Sequence, residues 1–202
     1  MLDLGAGEEP AGAVPRWTLD SPEGDGLLRV NLLSVNATAV SDGGFDAGLL
    51  ESFHVVRTPE GGLFVDVLAQ KAFRYRVLEL TERVRLVVDF RLAGAAPKEP
   101  PPTEGGETVL GEPRAGAEIS DPRTVSGYSR NFEASNTMVP PNERGKVLLR
   151  ETVMANDWSS TWGYFESTLN LPSLPNKGTL KVGTENACDG SFEGVEISVR
   201  GG

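Results

Sequence analysis

One cysteine and one histidine among 202 residues remove two kinds of chemistry at the outset. A lone Cys188 closes no internal disulfide, so cysteine usage gives no sign of an oxidising compartment. A zinc cluster is built from several Cys and His ligands, and this chain cannot supply them. Basic charge is also short, since 19 Lys and Arg against 29 Asp and Glu leave a net charge of −10. Nucleic-acid backbones are held by clustered cations that release counterions, so a nucleic-acid partner is not expected. Long apolar runs are missing too. A spanning helix needs about 18 or more consecutive apolar residues, so no transmembrane segment is expected. Met1-Leu2-Asp3-Leu4-Gly5 has neither the charged start nor the apolar stretch of a signal peptide.

Catalytic patterns are equally scarce. There is no Gly-x-Ser-x-Gly elbow and no Ser-x-x-Lys. His54 lies between Phe53 and Val55 with no nucleophile in local register, so it reads as a packed residue rather than a general base. The carboxylate pairs Glu8-Glu9 and Asp42 with Asp46 read as solvated surface. Cys188 lies near Glu185 and Asp189, the wrong charge for a reactive thiol. The chain is expected not to be an enzyme and to carry no cofactor.

What is abundant is glycine (24), proline (14) and alternation of apolar with polar residues. Residues 1–26 are rich in Gly, Pro and acidic residues, with Trp17 and Leu19 the only anchors, and read as a flexible leader. From Leu27 the period is two: Leu28, Val30 and Leu32, then Phe53 to Arg57, then Leu63, Val65 and Val67. Phe73, Tyr75 and Val77 follow, and Val84, Leu86, Val88 and Phe90 complete the set. Residues 27–92 are thus a small β domain, with Leu78 to Arg83 left open as a turn or a single helical turn. Residues 93–107, with Pro100-Pro101-Pro102, read as an extended Pro/Gly linker that spaces as well as joins. In residues 108–202, Phe165, Ser167, Leu169 and Leu171 face one way, and Leu180, Val182 and Val195, Ile197, Val199 repeat the pattern. With no helical period between, two packed antiparallel sheets are expected, and the chain as a whole reads as all-β.

Two resemblances attach to these stretches. Phe73-Arg74-Tyr75-Arg76-Val77-Leu78-Glu79-Leu80, Arg85-Leu86-Val87-Val88-Asp89-Phe90 and Gly44-Phe45-Asp46 resemble the AMIN and AMIN-like domains of bacterial envelope proteins. After Gly44-Phe45-Asp46 the chain departs from that pattern, with Ala47-Gly48-Leu49-Leu50 in place of an Arg and β-branched residues. The C-terminal half resembles the Gmad2 family, an immunoglobulin-like domain of bacterial spore germination. The order of Val125-Ser126-Gly127-Tyr128, Phe132-Glu133-Ala134, Gly145-Lys146-Val147-Leu148, Trp162-Gly163-Tyr164-Phe165-Glu166, Gly178-Thr179-Leu180 and Asp189-Gly190-Ser191 carries that likeness. Together they imply an exported, extracytoplasmic envelope protein whose targeting segment is not in this sequence. Its implied role is that of a non-catalytic binding or assembly module, with cell-wall glycan or another envelope protein as partner.

The stretch expected to bind is Asn156 to Tyr164, which sets Trp158, Trp162 and Tyr164 in a polar loop; exposed aromatics stack on sugars or anchor partners. The Gmad2 resemblance makes Trp162 a residue that closes the sandwich core, whereas Trp158 belongs to no motif. An alternative is a calcium- or small-ligand-binding sensor using sandwich-end loops, with Asp121, Asp157 and Asp189 as the calcium candidates.

Overall fold

The computed structural model of the chain describes residues 2–3, 5–6, 9–10, 12–20, 26–46, 48–81, 84–94, 99–140, 150–170, 176–186 and 188–201. Every regular element among them is a strand except a 3₁₀ turn at Phe132–Ala134. Three two-residue strands, β1 (Leu2–Asp3), β2 (Gly5–Ala6) and β3 (Glu9–Pro10), precede β4 (Trp17–Asp20), β5 (Leu27–Leu32) and β6 (Asp42–Gly44). Next come β7 (Leu50–Arg57), β8 (Leu63–Ala69), β9 (Phe73–Leu80) and β10 (Arg85–Leu92). The C-terminal half holds β11 (Thr103–Gly105), β12 (Thr108–Glu112), β13 (Glu118–Ile119), β14 (Arg123–Ser129) and β15 (Ser135–Val139). It ends with β16 (Glu151–Met154), β17 (Trp162–Leu169), β18 (Gly178–Glu185) and β19 (Phe192–Gly201).

In the N-terminal half the antiparallel run β4-β5-β8-β7, with β6 on β7, packs its apolar face on the smaller sheet β1-β10-β9. Leu28, Val30, Leu32, Val55, Val65, Val67, Phe73 and Leu86 fill the space between them. In the C-terminal half β11-β12-β14-β17 faces the sheet β13-β19-β18-β15-β16. Leu110, Val125, Met138, Phe165, Leu169, Leu180, Val182, Val195, Ile197 and Val199 form that core. This is the expected immunoglobulin-like sandwich, and the alternation of apolar residues along β17, β18 and β19 is what builds it.

The halves do not stop at a linker. Strand β17 pairs in parallel with β7 through Trp162 opposite Val56 and Gly163 opposite Arg57. One sheet therefore runs β11-β12-β14-β17-β7-β8-β5-β4 across both. A third cluster joins Val56, Phe64 and Leu68 to Val109, Tyr128 and Trp162. Strand β8 is consequently buried along its whole length and on both faces, where its alternation alone suggests one wet face.

Three expectations are corrected here. Residues 1–26 are not uniformly a loose leader, because Trp17 to Asp20 pair with Leu32 to Arg29, and Trp17 and Leu19 pack on the N-terminal core. Residues 93–107 hold strand β11, and Pro102 is buried. Pro101 lies so close to Gly26 that a side chain there would meet its Cβ at 2.8 Å, so this end of the segment ties the halves together. Strand β9 runs on through Leu80, so Leu78 to Leu80 are strand where a turn or a single helical turn stood open. Gly145-Lys146-Val147-Leu148, Leu171, Glu8 and Arg83 lie outside the described residues.

Candidate functional site

The loop from Asn156 to Thr161 is organised by one carboxylate. Asp157 accepts from the backbone N–H groups of Trp158 at 2.7 Å and Ser159 at 3.0 Å, and from the hydroxyls of Ser160 at 3.0 Å and Thr161 at 2.8 Å. Arg57, at the end of β7, adds its Nε–H at 2.8 Å. Burial opposes the charge, but Arg57, Ser159, Thr161 and Ser160 outweigh it and hold the carboxyl far below the usual carboxylate range. Gly163 permits the arrangement. A Cβ at Gly163 would lie 2.0 Å from the Asp157 carbonyl oxygen, so only glycine lets the loop close on β17.

The three aromatics expected to bind go to different places. Trp162 is 4% exposed and donates its indole N–H to Asp42 Oδ2 at 2.9 Å; it belongs to the core and is set aside as a ligand-binding residue. Tyr164 is half-buried, with its hydroxyl donating to Glu166 at 2.7 Å and its backbone N–H to Asn156 Oδ1 at 2.8 Å. Trp158 alone is open, at 40%. Its ring meets Phe132 edge-on, with centroids 5.3 Å apart and planes at 71°.

Phe132 is 73% exposed; in the sequence it stands only as part of the Phe132-Glu133-Ala134 motif, with no sign that it would be at the surface. The turn turns it outward. Glu133 and Ala134 take φ of 55° and 57°, in the left-handed region that costs a non-glycine residue about 1–3 kcal/mol. The strain is held by Ala134, which is buried, donates its N–H to Asn131 O at 2.9 Å and accepts from Ala155 at 2.8 Å. Met154, 58% exposed, lies on β16 opposite Ser135. Phe132 and Trp158 thus form an exposed aromatic face on two turns fixed from below. Only the surface exposure of Trp158 carried a sequence signal.

A polar row crosses the N-terminal half, buried at its centre, where His54 and Asp66 lie. In register across β6, β7, β8, β5 and β4 stand Asp42, His54, Asp66, Arg29 and Asp20. Arg29 donates through Nε and Nη2 to the two oxygens of Asp66 at 2.7 and 2.8 Å, and Asp66 is fully buried. The Arg29 guanidinium also lies 3.9 Å over the Phe64 ring. His54 is 1% exposed, edge-on to Trp162 at 4.5 Å and 5.4 Å from Tyr128. Burial and the nearby Asp66 charge push the Tyr128 hydroxyl well above its ordinary range.

Glu104 of β11 reaches across to this row, 3.2 Å from His54 Nε2, and accepts from the Ser52 hydroxyl at 3.0 Å. Those contacts, His54 first, hold Glu104 below its usual range against burial. The wiring is that of a bridge. Ser52 and His54 both bond the Glu104 carboxylate, and among the described residues no hydrogen bond joins the two to each other. Asp42 gathers the Trp162 indole, Ser41 and Arg130 in the same way, and these donors keep it below its usual range although burial opposes the charge.

The three calcium candidates are dispersed in role. Asp157 is committed to Arg57 and its own loop, Asp189 is exposed and accepts from Ser191 N–H at 2.9 Å, and Asp121 is exposed. Among the described residues no group of metal-ligating side chains converges, and no helix is long and apolar enough to cross a membrane.

Residues 109–191 match the family model of Gmad2, the immunoglobulin-like domain of bacterial spore germination. The match lies wholly within the C-terminal sandwich and covers the Asp157 loop, Phe132 and Trp158. No curated protein and no solved structure matches the chain.

Proposed function

We propose that the chain is a non-catalytic, extracytoplasmic module of the bacterial cell envelope, related to spore germination, that holds a partner on the Phe132–Trp158 face. The observation that carries this is the presence of two exposed rings in contact, each on a turn already fixed by its own hydrogen bonds. Aromatic area ordered before binding loses little freedom on association, and such anchors dominate interface energies. The likeness of residues 109–191 to a germination domain supports the envelope role. The AMIN-like pattern of the N-terminal half supports cell-wall glycan as partner, with another envelope protein as the other partner class.

Retention of the intact chain on purified cell-wall sacculi tests the glycan version, with Trp158→Ala and Phe132→Ala compared at equal fold stability. The wild type is retained and both variants wash through. A wild type that fails to bind sinks the glycan partner. Binding that survives both substitutions moves the site off this face.

A further inference from the structure

Charge is segregated along this acidic chain. Residues 71–91 contain six Lys or Arg and three Asp or Glu, a net +3, so the remainder carries −13 of the total −10. Much of that positive charge points one way. Strands β9 and β10 turn Phe73, Tyr75, Val77 and Leu86, Val88, Phe90 into the N-terminal core, which leaves Arg74, Arg76 and Leu78 on the outer face with Val87, Asp89 and Arg91.

The register on that face is unusual. Arg74 stands directly opposite Arg91, next to Arg76 opposite Asp89. The second pair is satisfied, with Arg76 Nη2 2.7 Å from Asp89 Oδ2. The first pair is not: neither the Arg74 nor the Arg91 guanidinium has an ion-pair partner among the described residues. Like charges directly opposite each other on a sheet destabilise it. The two arginines, with Tyr75, Arg76 and Asp89, line an open depression of ≈ 200 Å³.

We infer that Arg74 and Arg91 form an oxyanion site, and that its ligand is a phosphate group. Two opposed guanidinium forks present paired N–H donors to a tetrahedral oxyanion. The net charge of the four-residue array is +2, which a phosphate dianion neutralises and a single carboxylate does not. Arg76, pinned by Asp89, walls one side. Leu78 and Leu80, each 38% exposed on the same face, give an apolar shoulder that a lipid headgroup would use and a free phosphate would not.

The test is carried out on the intact chain. Sodium phosphate is titrated against sodium chloride at matched ionic strength while Tm is followed, since a ligand of the folded state raises it by mass action. In parallel, co-sedimentation is measured with vesicles of phosphatidylglycerol and phosphatidylcholine. The expected result is a saturable rise of Tm specific to phosphate, weakened roughly tenfold or more in apparent affinity by Arg74→Gln or Arg91→Gln. Arg150→Gln, whose guanidinium is paired with Glu185, leaves it unchanged. Vesicle binding lost in the same two variants identifies a lipid headgroup as the source; a phosphate response without vesicle binding identifies a soluble phosphate. A wild type that responds to neither, or a response that persists in both Arg74→Gln and Arg91→Gln, overturns the site.

Discussion

Trp162 donates its indole N–H to Asp42, 120 residues earlier in the chain, at 2.9 Å. The bond crosses from the immunoglobulin-like half to the N-terminal half, beside the parallel strand pair β17 to β7 that joins them. The Asp42 carboxylate also accepts from Arg130 at 2.7 Å, so two donors of one half converge on one acceptor of the other. A residue that motif order assigns to closing a single sandwich therefore also docks a second one.

A double-mutant cycle on Asp42→Asn and Trp162→Phe measures that docking. Each substitution alone removes a charge-assisted or indole hydrogen bond and is expected to lower urea stability by about 1–3 kcal/mol. The pair should be less harmful than the sum by at least about 0.5 kcal/mol, because both remove the same contact. Additive losses would mean that the two residues act separately.

The Arg29–Asp66 pair makes a sharper case. Asp66→Asn leaves Arg29 partly buried without its counter-charge, and the expected loss is roughly 3–5 kcal/mol. Replacing both partners, as in Arg29→Met with Asp66→Leu, should recover most of it, because a buried ion pair adds little over a packed apolar pair once desolvation is counted. Chemical denaturation of the wild type and the two variants decides this. A double variant as weak as Asp66→Asn would show that the pair itself supplies net stability.

How much of this was legible beforehand follows from what alternation can and cannot carry. Leu180, Val182, Val195, Ile197 and Val199 were placed in the core by period two, and all are buried. The opposite parity fails where a second layer arrives from far along the chain. Asp66 alternates with apolar neighbours as a solvent-facing residue does, yet it is fully buried against Arg29; His54, which reads as packed, lies buried beside Tyr128, Trp162 and β11. Nothing local distinguishes a wet face from one covered by a distant strand. The candidate face was half legible: Trp158 stood outside any motif, but the outward turn of Phe132 depends on left-handed backbone at Glu133 and Ala134, residues with no glycine-like preference for it.

Gly163→Ala is expected to be among the most damaging single-atom additions in the chain. The new Cβ would meet Asp157 backbone atoms at 2.0 and 2.4 Å, so either the loop lifts or β17 shifts off β7. A loss above about 2 kcal/mol is expected, with Trp158 fluorescence moving toward that of a solvated indole. A neutral effect would mean that the loop does not close on Gly163 in solution.

Acid should act through the same loop. Asp157 is held far below its ordinary value, and Asp42 and Glu104 are lowered too. For a carboxylate whose folded pKa is depressed, the stabilisation is complete above the unfolded value, about 4, and is lost as pH falls toward the folded one. Asp157→Asn removes the charge at every pH, so it is expected to cost roughly 2–3 kcal/mol at pH 7 and progressively less below about pH 4, where the wild type itself begins to protonate in the unfolded chain. Urea midpoints of wild type and variant across that range test the sign directly. A gap that stays constant or widens on acidification would mean that the Asp157 charge is not what fixes the turn that presents Trp158.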